Sequence, residues 1–191
     1  KDELSKANSS NKEVYVRIPN LEIKKCFKND IQKRFDVVVK KDSLALNIAN
    51  ALLEGNVDFV QNKLGPLLRS FVSIRDTATR APHENYYHGF LNGIFTNCKD
   101  NLGEYHSNFE SGDGYADILF KDIDCRKVAI IEIKSASIGS DIETLSEKAI
   151  SQIIDKNYAE PLMSNKTVKH IYGYGIAFAG KSSFISVRKI K

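Results

Sequence analysis

Disulfide pairs, zinc-ligand clusters and long apolar runs are all missing from this chain, and each gap removes a class of protein. The three cysteines, Cys26, Cys98 and Cys125, are far apart, odd in number and form no CxxC pair. That argues against a disulfide framework and suits a reducing compartment. The four histidines, His83, His88, His106 and His170, lack the spacing of a structural zinc site. No apolar run approaches the roughly 20 residues that span a bilayer, and the first residues lack the hydrophobic stretch of a signal peptide. No internal repeat or low-complexity tract is present. We expect a cytoplasmic protein with no membrane span.

Acidic residues are missing from one end altogether. Residues 161–191 hold 6 Lys/Arg and no Asp/Glu, a balance of +6. Residues 1–41 hold 11 Lys/Arg against 6 Asp/Glu, or +5, while residues 42–160 hold 11 against 18, or −7. The net charge of +4 therefore hides an acidic centre between basic ends. An acidic centre suits a cation site and basic flanks suit a polyanion, although solvated faces alone give the same pattern.

The chain is long enough to bury a core, and its 191 residues fit one domain with an appendage. Because it begins at Lys1, we expect it to be a piece of something longer. Residues 1–13 read as a polar tail or linker and residues 14–81 as a mainly helical region. Within the latter, VYVRIPNLEI opens as a short strand, Leu21 to Phe35 has helical spacing, and Asp42 or Ser43 can cap a helix that Gly55 stops. Val57 to Ile74 reads as another helix, broken near Gly65-Pro66.

Residues 82–191 alternate differently. A helical stripe of Tyr86 or Tyr87, Phe90, Leu91, Ile94 and Phe95 follows Glu84. A strand, EYHSNFES, leads through Gly112-Asp113-Gly114 into two apolar runs, YADILF and VAIIEIK, which read as a hairpin. Asp141 and Glu143 open a helix through Tyr158 with Leu145, Ala149, Ile153 and Ile154 on one side. HIYGYGIAFAG and SSFISVRKI close the chain as two strands joined at Gly180-Lys181. The order predicts an α/β fold with a mixed central sheet.

The hairpin carries the chemistry. Side chains two apart on a strand share a face, so Glu132 and Lys134 lie together and Ile131 and Ile133 face the other way. Pairing of the two runs brings Asp117 to the same face, which places two carboxylates and a lysine around a space of metal-ion size. Hard oxygen donors favour Mg²⁺ or Mn²⁺ over zinc. The same tripeptide, Glu-Ile-Lys, occurs at Glu22 to Lys24, but without an Asp-bearing strand upstream or an apolar run before it. We read that copy as surface.

On these elements, the series Glu84, Asp117, Glu132-Ile133-Lys134 and Gln152 resembles the PD-(D/E)XK nuclease superfamily. The strings YYHGFLNGIF, ESGDGYADILF, AIIEIK, AISQIIDKNYAE and YGYGIAFAGK are similar to a nuclease-like domain that commonly follows an AAA-type ATPase-like domain in bacterial proteins. The segment VYVRIPNLEIKKCF is similar to the joining region of such proteins. The resemblance implies a restriction-endonuclease-like αβββαβ core over residues 82–191, preceded by the helical region. It makes Asp117, Glu132 and the Ile133 carbonyl metal ligands, with Glu84 binding through water or completing a second site. Lys134 is implied to orient or activate the attacking water and steady negative charge, and Gln152 to support the site from the next helix. Tyr115 stands where related domains usually carry Arg, and the resemblance implies that one phosphate contact is lost there.

The expected activity is divalent-metal-dependent hydrolysis of phosphodiester bonds in DNA, with RNA as the other candidate, and the expected partners are nucleic acid and an upstream ATPase-like module. A catalytically silent relative that holds nucleic acid or a protein stays open, as does an interaction module docking through residues 42–78. Individual residues also have plainer readings: a surface ion pair for Asp117, Glu132 and Lys134, a helix-start carboxylate for Glu84, a polar helix residue for Gln152, and packing for Tyr158. His88, Tyr86 and Lys181 are candidates for phosphate or base contact, with a structural role as the first reading.

Overall fold

The computed structural model describes residues 44–72 and 83–191. The tail, the strand at VYVRIPNLEI, the helix over Leu21 to Phe35, the Glu22 to Lys24 copy and the caps at Asp42 or Ser43 lie outside the described residues. The elements are α1 (Leu44–Leu53), α2 (Val57–Phe71), α3 (His83–Phe95), a 3-10 turn (Lys99–Asn101), β1 (Glu104–Ser111), β2 (Gly114–Lys121), β3 (Lys127–Ser135), α4 (Ile142–Asp155), α5 (Glu160–Met163), β4 (His170–Ala179) and β5 (Ser182–Lys189).

The five strands form one sheet in chain order. β3 and β4 are parallel and the other neighbours antiparallel. A parallel pair needs a crossover, and α4 with α5 supplies it. In β3 the side chains of Ala129, Ile131 and Ile133 enter one apolar cluster with α1, α2 and α3, while Val128 and Ile130 enter a second with Ile153 and Leu162. Helices therefore cover both faces, which is why VAIIEI is a nearly unbroken apolar run. This is the mixed α/β arrangement of a restriction-endonuclease-like core.

Three expectations need correction. The helix at Val57 runs unbroken through Pro66 to Phe71. Proline there removes the bond to the Asn62 carbonyl. Both residues are exposed, so water can take that carbonyl, while Val60, Leu64, Leu67 and Leu68 anchor the two halves in the core. The buried stripe of α4 is Ser146, Ala149, Ile150 and Ile153, with Ile154 39% exposed and Leu145 only half-buried. The helix turns this side inward because Gly175 of β4 leaves room for a close approach. A side chain at Gly175 would begin 2.0 Å from the Ser146 carbonyl oxygen and 2.9 Å from Ala149 Cβ.

The third correction concerns Tyr158, which is not on the helix. α4 ends at Asp155, and Asn157 adopts the left-handed conformation at φ 53°. The Asn157 N–H donates to the Ile154 carbonyl at 3.0 Å and the Tyr158 N–H to that of Ile153 at 3.1 Å. These two bonds make a Schellman stop. The chain reverses there, and the Tyr158 ring comes back against Gly114.

α3 is fixed to the sheet by Tyr87, whose ring stacks on Phe178 with centroids 4.4 Å apart. Its hydroxyl donates to the Gly180 carbonyl at 2.7 Å. This anchor, together with buried Phe90, Leu91, Ile94 and Phe95, fixes where Glu84 stands in the first turn.

Candidate metal centre

The β2–β3 ladder is regular from Lys121↔Val128 to Ile118↔Ile131 and has no Asp117↔Glu132 pair. Beyond its last pair, the Asp117 carboxylate accepts the Ile133 N–H at 2.7 Å, in place of a backbone carbonyl. The β1–β2 register has a matching gap, between Ser107↔Ile118 and Phe109↔Ala116, where Asn108 takes φ 53°. Ala116 and Leu119 both enter the second apolar cluster. Residues three apart face opposite ways on a regular strand, so the alternation reverses around Asp117. Asp117 is lifted out of both ladders and turned to β3.

Glu132 is only 3% exposed. The Lys134 ammonium donates to Glu132 Oε1 at 2.7 Å and to Glu84 Oε1 at 3.4 Å. One ligand atom from each of Glu84, Asp117 and Glu132 lies within 4.8 Å of the others. Burial, then repulsion from Asp117, pushes the Glu132 carboxyl up to about 7, against the pull of Lys134. Burial likewise raises Asp117, partly offset by its bond from Ile133. For Lys134, burial works to lower the pKa, but the carboxylates of Glu132 and Glu84 outweigh it and hold the ammonium above its ordinary value.

Among the described residues, three carboxylates thus gather at one lysine, which bonds two of them. Glu132 Oε2 is buried and has no hydrogen-bond partner among the described residues. A buried carboxylate oxygen without a partner is costly unless a cation serves it. The donors are all hard oxygens, so the residues present fit a divalent cation such as Mg²⁺ or Mn²⁺.

Of the residues singled out in the sequence, the structure brings Glu84, Asp117, Glu132 and Lys134 into one cluster. Ile133 is tied to it through its N–H. Gln152 is one step removed, because its amide donates to the Tyr158 hydroxyl at 3.2 Å rather than to a carboxylate. The Tyr158 phenol is raised first by burial and also by the charges of Glu132 and Asp117, so it is near enough to sense the cluster. Lys181 donates to the Arg69 carbonyl at 3.3 Å, and Tyr86 is half-buried against the first apolar cluster.

Two neighbours of the cluster read first as structural or packing residues in the sequence. His88 Nε2 lies 3.0 Å from the Asp117 carbonyl oxygen. Its signal was there: Glu84, His88 and Asn92 recur every fourth residue, a polar stripe beside the apolar one. Tyr158 had no such signal, since its place depends on the helix ending three residues earlier, at Asp155.

A family model of the PD-(D/E)XK nuclease superfamily matches residues 82–188. No curated protein matches the chain.

Proposed function

Because the chain belongs to the PD-(D/E)XK nuclease superfamily, we propose that it is a divalent-metal-dependent nuclease that hydrolyses phosphodiester bonds of DNA, with RNA as the second candidate substrate. The observation that carries this reading is the convergence of Glu84, Asp117 and Glu132 on one point, with Glu132 Oε2 buried and unpartnered.

In this reading Asp117, Glu132, the Ile133 carbonyl and Glu84 hold Mg²⁺ or Mn²⁺. When bound, such an ion polarises a phosphoryl oxygen and lowers the pKa of coordinated water. Lys134, its pKa held up by two carboxylates, stays protonated near neutral pH. It orients the attacking water and donates toward the charge that grows on the phosphoryl oxygens. Water adds to phosphorus, the bond to the leaving oxygen breaks, and a phosphomonoester and a hydroxyl result. Gln152 keeps the Tyr158 hydroxyl in place beside the carboxylates.

The catalytic unit in this proposal is residues 82–191, with residues 14–81 as the helical region before it and 1–13 as a tail or linker. Likeness to domains that follow an AAA-type ATPase-like module supports such a module as a partner in the full-length protein. Free thiols at Cys98 and Cys125 suit a reducing cytoplasm. No helix among the described residues is long and apolar enough to cross a membrane.

The test is cleavage of plasmid DNA, single-stranded DNA and RNA in Mg²⁺, Mn²⁺ or EDTA. Cutting that needs the metal, is lost in Asp117→Ala, and falls about 10²–10³-fold in Lys134→Ala is the expected result. Nucleic-acid binding without metal-dependent cutting in the wild type would make the chain a silent relative and overturn the proposal.

A further inference from the structure

We propose that His88 is a positioning residue, holding Asp117 in the geometry that lets its carboxylate meet Glu132, through the Asp117 main-chain carbonyl rather than through the metal. The inference rests on the metal-site reading above. Asp117 is missing from the register on both sides: the β1–β2 pairing skips it opposite Asn108, and the β2–β3 pairing stops at Ile118. A strand residue that leaves both ladders has its position set by whatever bonds replace them. Two bonds reach it from outside the ladders, the Ile133 N–H on the carboxylate and His88 Nε2 on the carbonyl oxygen. The first fixes the side chain. The second fixes the backbone from which that side chain departs.

The imidazole sits in a polar network, and its bond to the Asp117 carbonyl selects the tautomer. A carbonyl oxygen can only accept, so Nε2 carries the hydrogen. Ser107 Oγ lies 3.1 Å from the same nitrogen. Asn92 Nδ2 donates to Ser107 Oγ at 3.0 Å and lies close to both ring nitrogens, 3.2 Å from His88 Nε2 and 3.5 Å from Nδ1. The Tyr105 hydroxyl donates to Asn92 Oδ1. Neutral His88 suffices for this role. β1 and α3 thereby act together on one carbonyl, one helical turn beyond Glu84, so a single helix face delivers both a carboxylate to the cluster and the group that aligns its neighbour.

Partners that orient metal ligands typically change metal affinity about 10–100-fold when removed. The test compares His88→Leu, which fills similar space without a donor, with His88→Gln, whose amide nitrogen can reach the same carbonyl. Mn²⁺ alone is titrated against each purified full chain by calorimetry, with thermal melting in EDTA measured in parallel. The expected result is Mn²⁺ binding weakened about 10-fold or more in His88→Leu and largely restored in His88→Gln, with the melting temperatures of the two variants in EDTA alike. Asn92→Ala, which loosens the ring without removing it, serves if His88→Leu does not fold, and a several-fold weakening is expected there. Unchanged Mn²⁺ affinity in the variant that folds would overturn the positioning role while leaving the nuclease proposal standing. Because the readout is metal binding, a wild type that binds Mn²⁺ but cuts nothing would sink the nuclease proposal and leave this one testable. A wild type that binds no Mn²⁺ would overturn both.

Discussion

Two glutamate–lysine pairs in this fold look alike and behave oppositely. On the β1–β2 edge, the Lys121 ammonium meets Glu104 Oε2 at 2.9 Å; at the cluster, the Lys134 ammonium meets Glu132 Oε1 at 2.7 Å. In the first pair the lysine side chain is 9% exposed and the acid 41%; in the second the lysine is 23% exposed and the acid 3%. The Glu104 carboxyl is held below its ordinary value, chiefly by its bond to Lys121. The Glu132 carboxyl is pushed up to about 7, because burial and Asp117 outweigh Lys134. A short ion pair is therefore not the mark of a functional site. What separates the two is the count of carboxylates per cation and which partner is buried. Among the described residues Glu104 has Lys121 to itself, with the His106 ring 3.4 Å away and much of its side chain exposed, whereas Glu132 shares Lys134 with Glu84 and keeps one oxygen without a partner.

Matched substitutions should break the likeness most sharply. Glu132→Gln is expected to lower metal-dependent cleavage by more than about a hundredfold, while Glu104→Gln stays within about twofold of wild type. Stability should move the other way. Glu104→Gln leaves a buried ammonium without its carboxylate and costs about 1 kcal/mol in urea unfolding, after discounting for the exposure of Glu104. Glu132→Gln in EDTA should be neutral or stabilising, since it removes a buried, repelled charge. Equal losses of activity from the two substitutions would contradict the distinction.

Acid titration sharpens it further. The folded chain keeps a proton on Glu132 that the unfolded chain has released, so without metal it binds more protons between the ordinary glutamate value and about pH 7. Stability in EDTA should therefore fall as pH rises from about 5 to about 7 and level off above that. Raised Asp117 adds in the same direction. Glu104, with its pKa lowered, contributes stability that is present above the ordinary glutamate value and lost as pH falls through its folded value. Melting curves across this range should lose the neutral-side trend in Glu132→Gln and keep the acid-side one. Mn²⁺ should reverse the neutral-side trend, since it binds the deprotonated form.

The smallest expected effect lies at the edge of the cluster. Tyr158→Phe removes one hydroxyl bonded to Gln152 and should slow cleavage by about tenfold or less, with Gln152→Ala similar. The same slowing from Tyr174→Phe, whose hydroxyl donates to the Leu52 carbonyl inside the first apolar cluster, would argue that loss of packing is being measured.

Much of the core was legible because its signals are local. Period-two alternation in VAIIEIK is enough to put Glu132 and Lys134 on one side, and two apolar runs about a short turn bring Asp117 near, while its final placement rests on the break in the ladders around it. The Tyr87 to Phe95 stripe and the Asp141 cap were legible for the same reason. What escaped depends on contacts distant in sequence. Pro66 reads as a breaker until the burial on both sides of it is known. The inward side of α4 is chosen by Gly175, a strand later. Tyr158 joins the site because Asn157 turns left-handed, and the partner of His88, the Asp117 carbonyl, lies where the register skips a pair opposite Asn108.

The account stands on a divalent cation seated among Glu84, Asp117 and Glu132. Anomalous diffraction at the manganese edge, from crystals of this chain soaked in Mn²⁺, tests it most directly. The predicted result is a peak at coordination distance from Glu132 Oε2 and an Asp117 oxygen. A fully loaded crystal with no peak there, and with Glu132 Oε2 still without a partner, would contradict it.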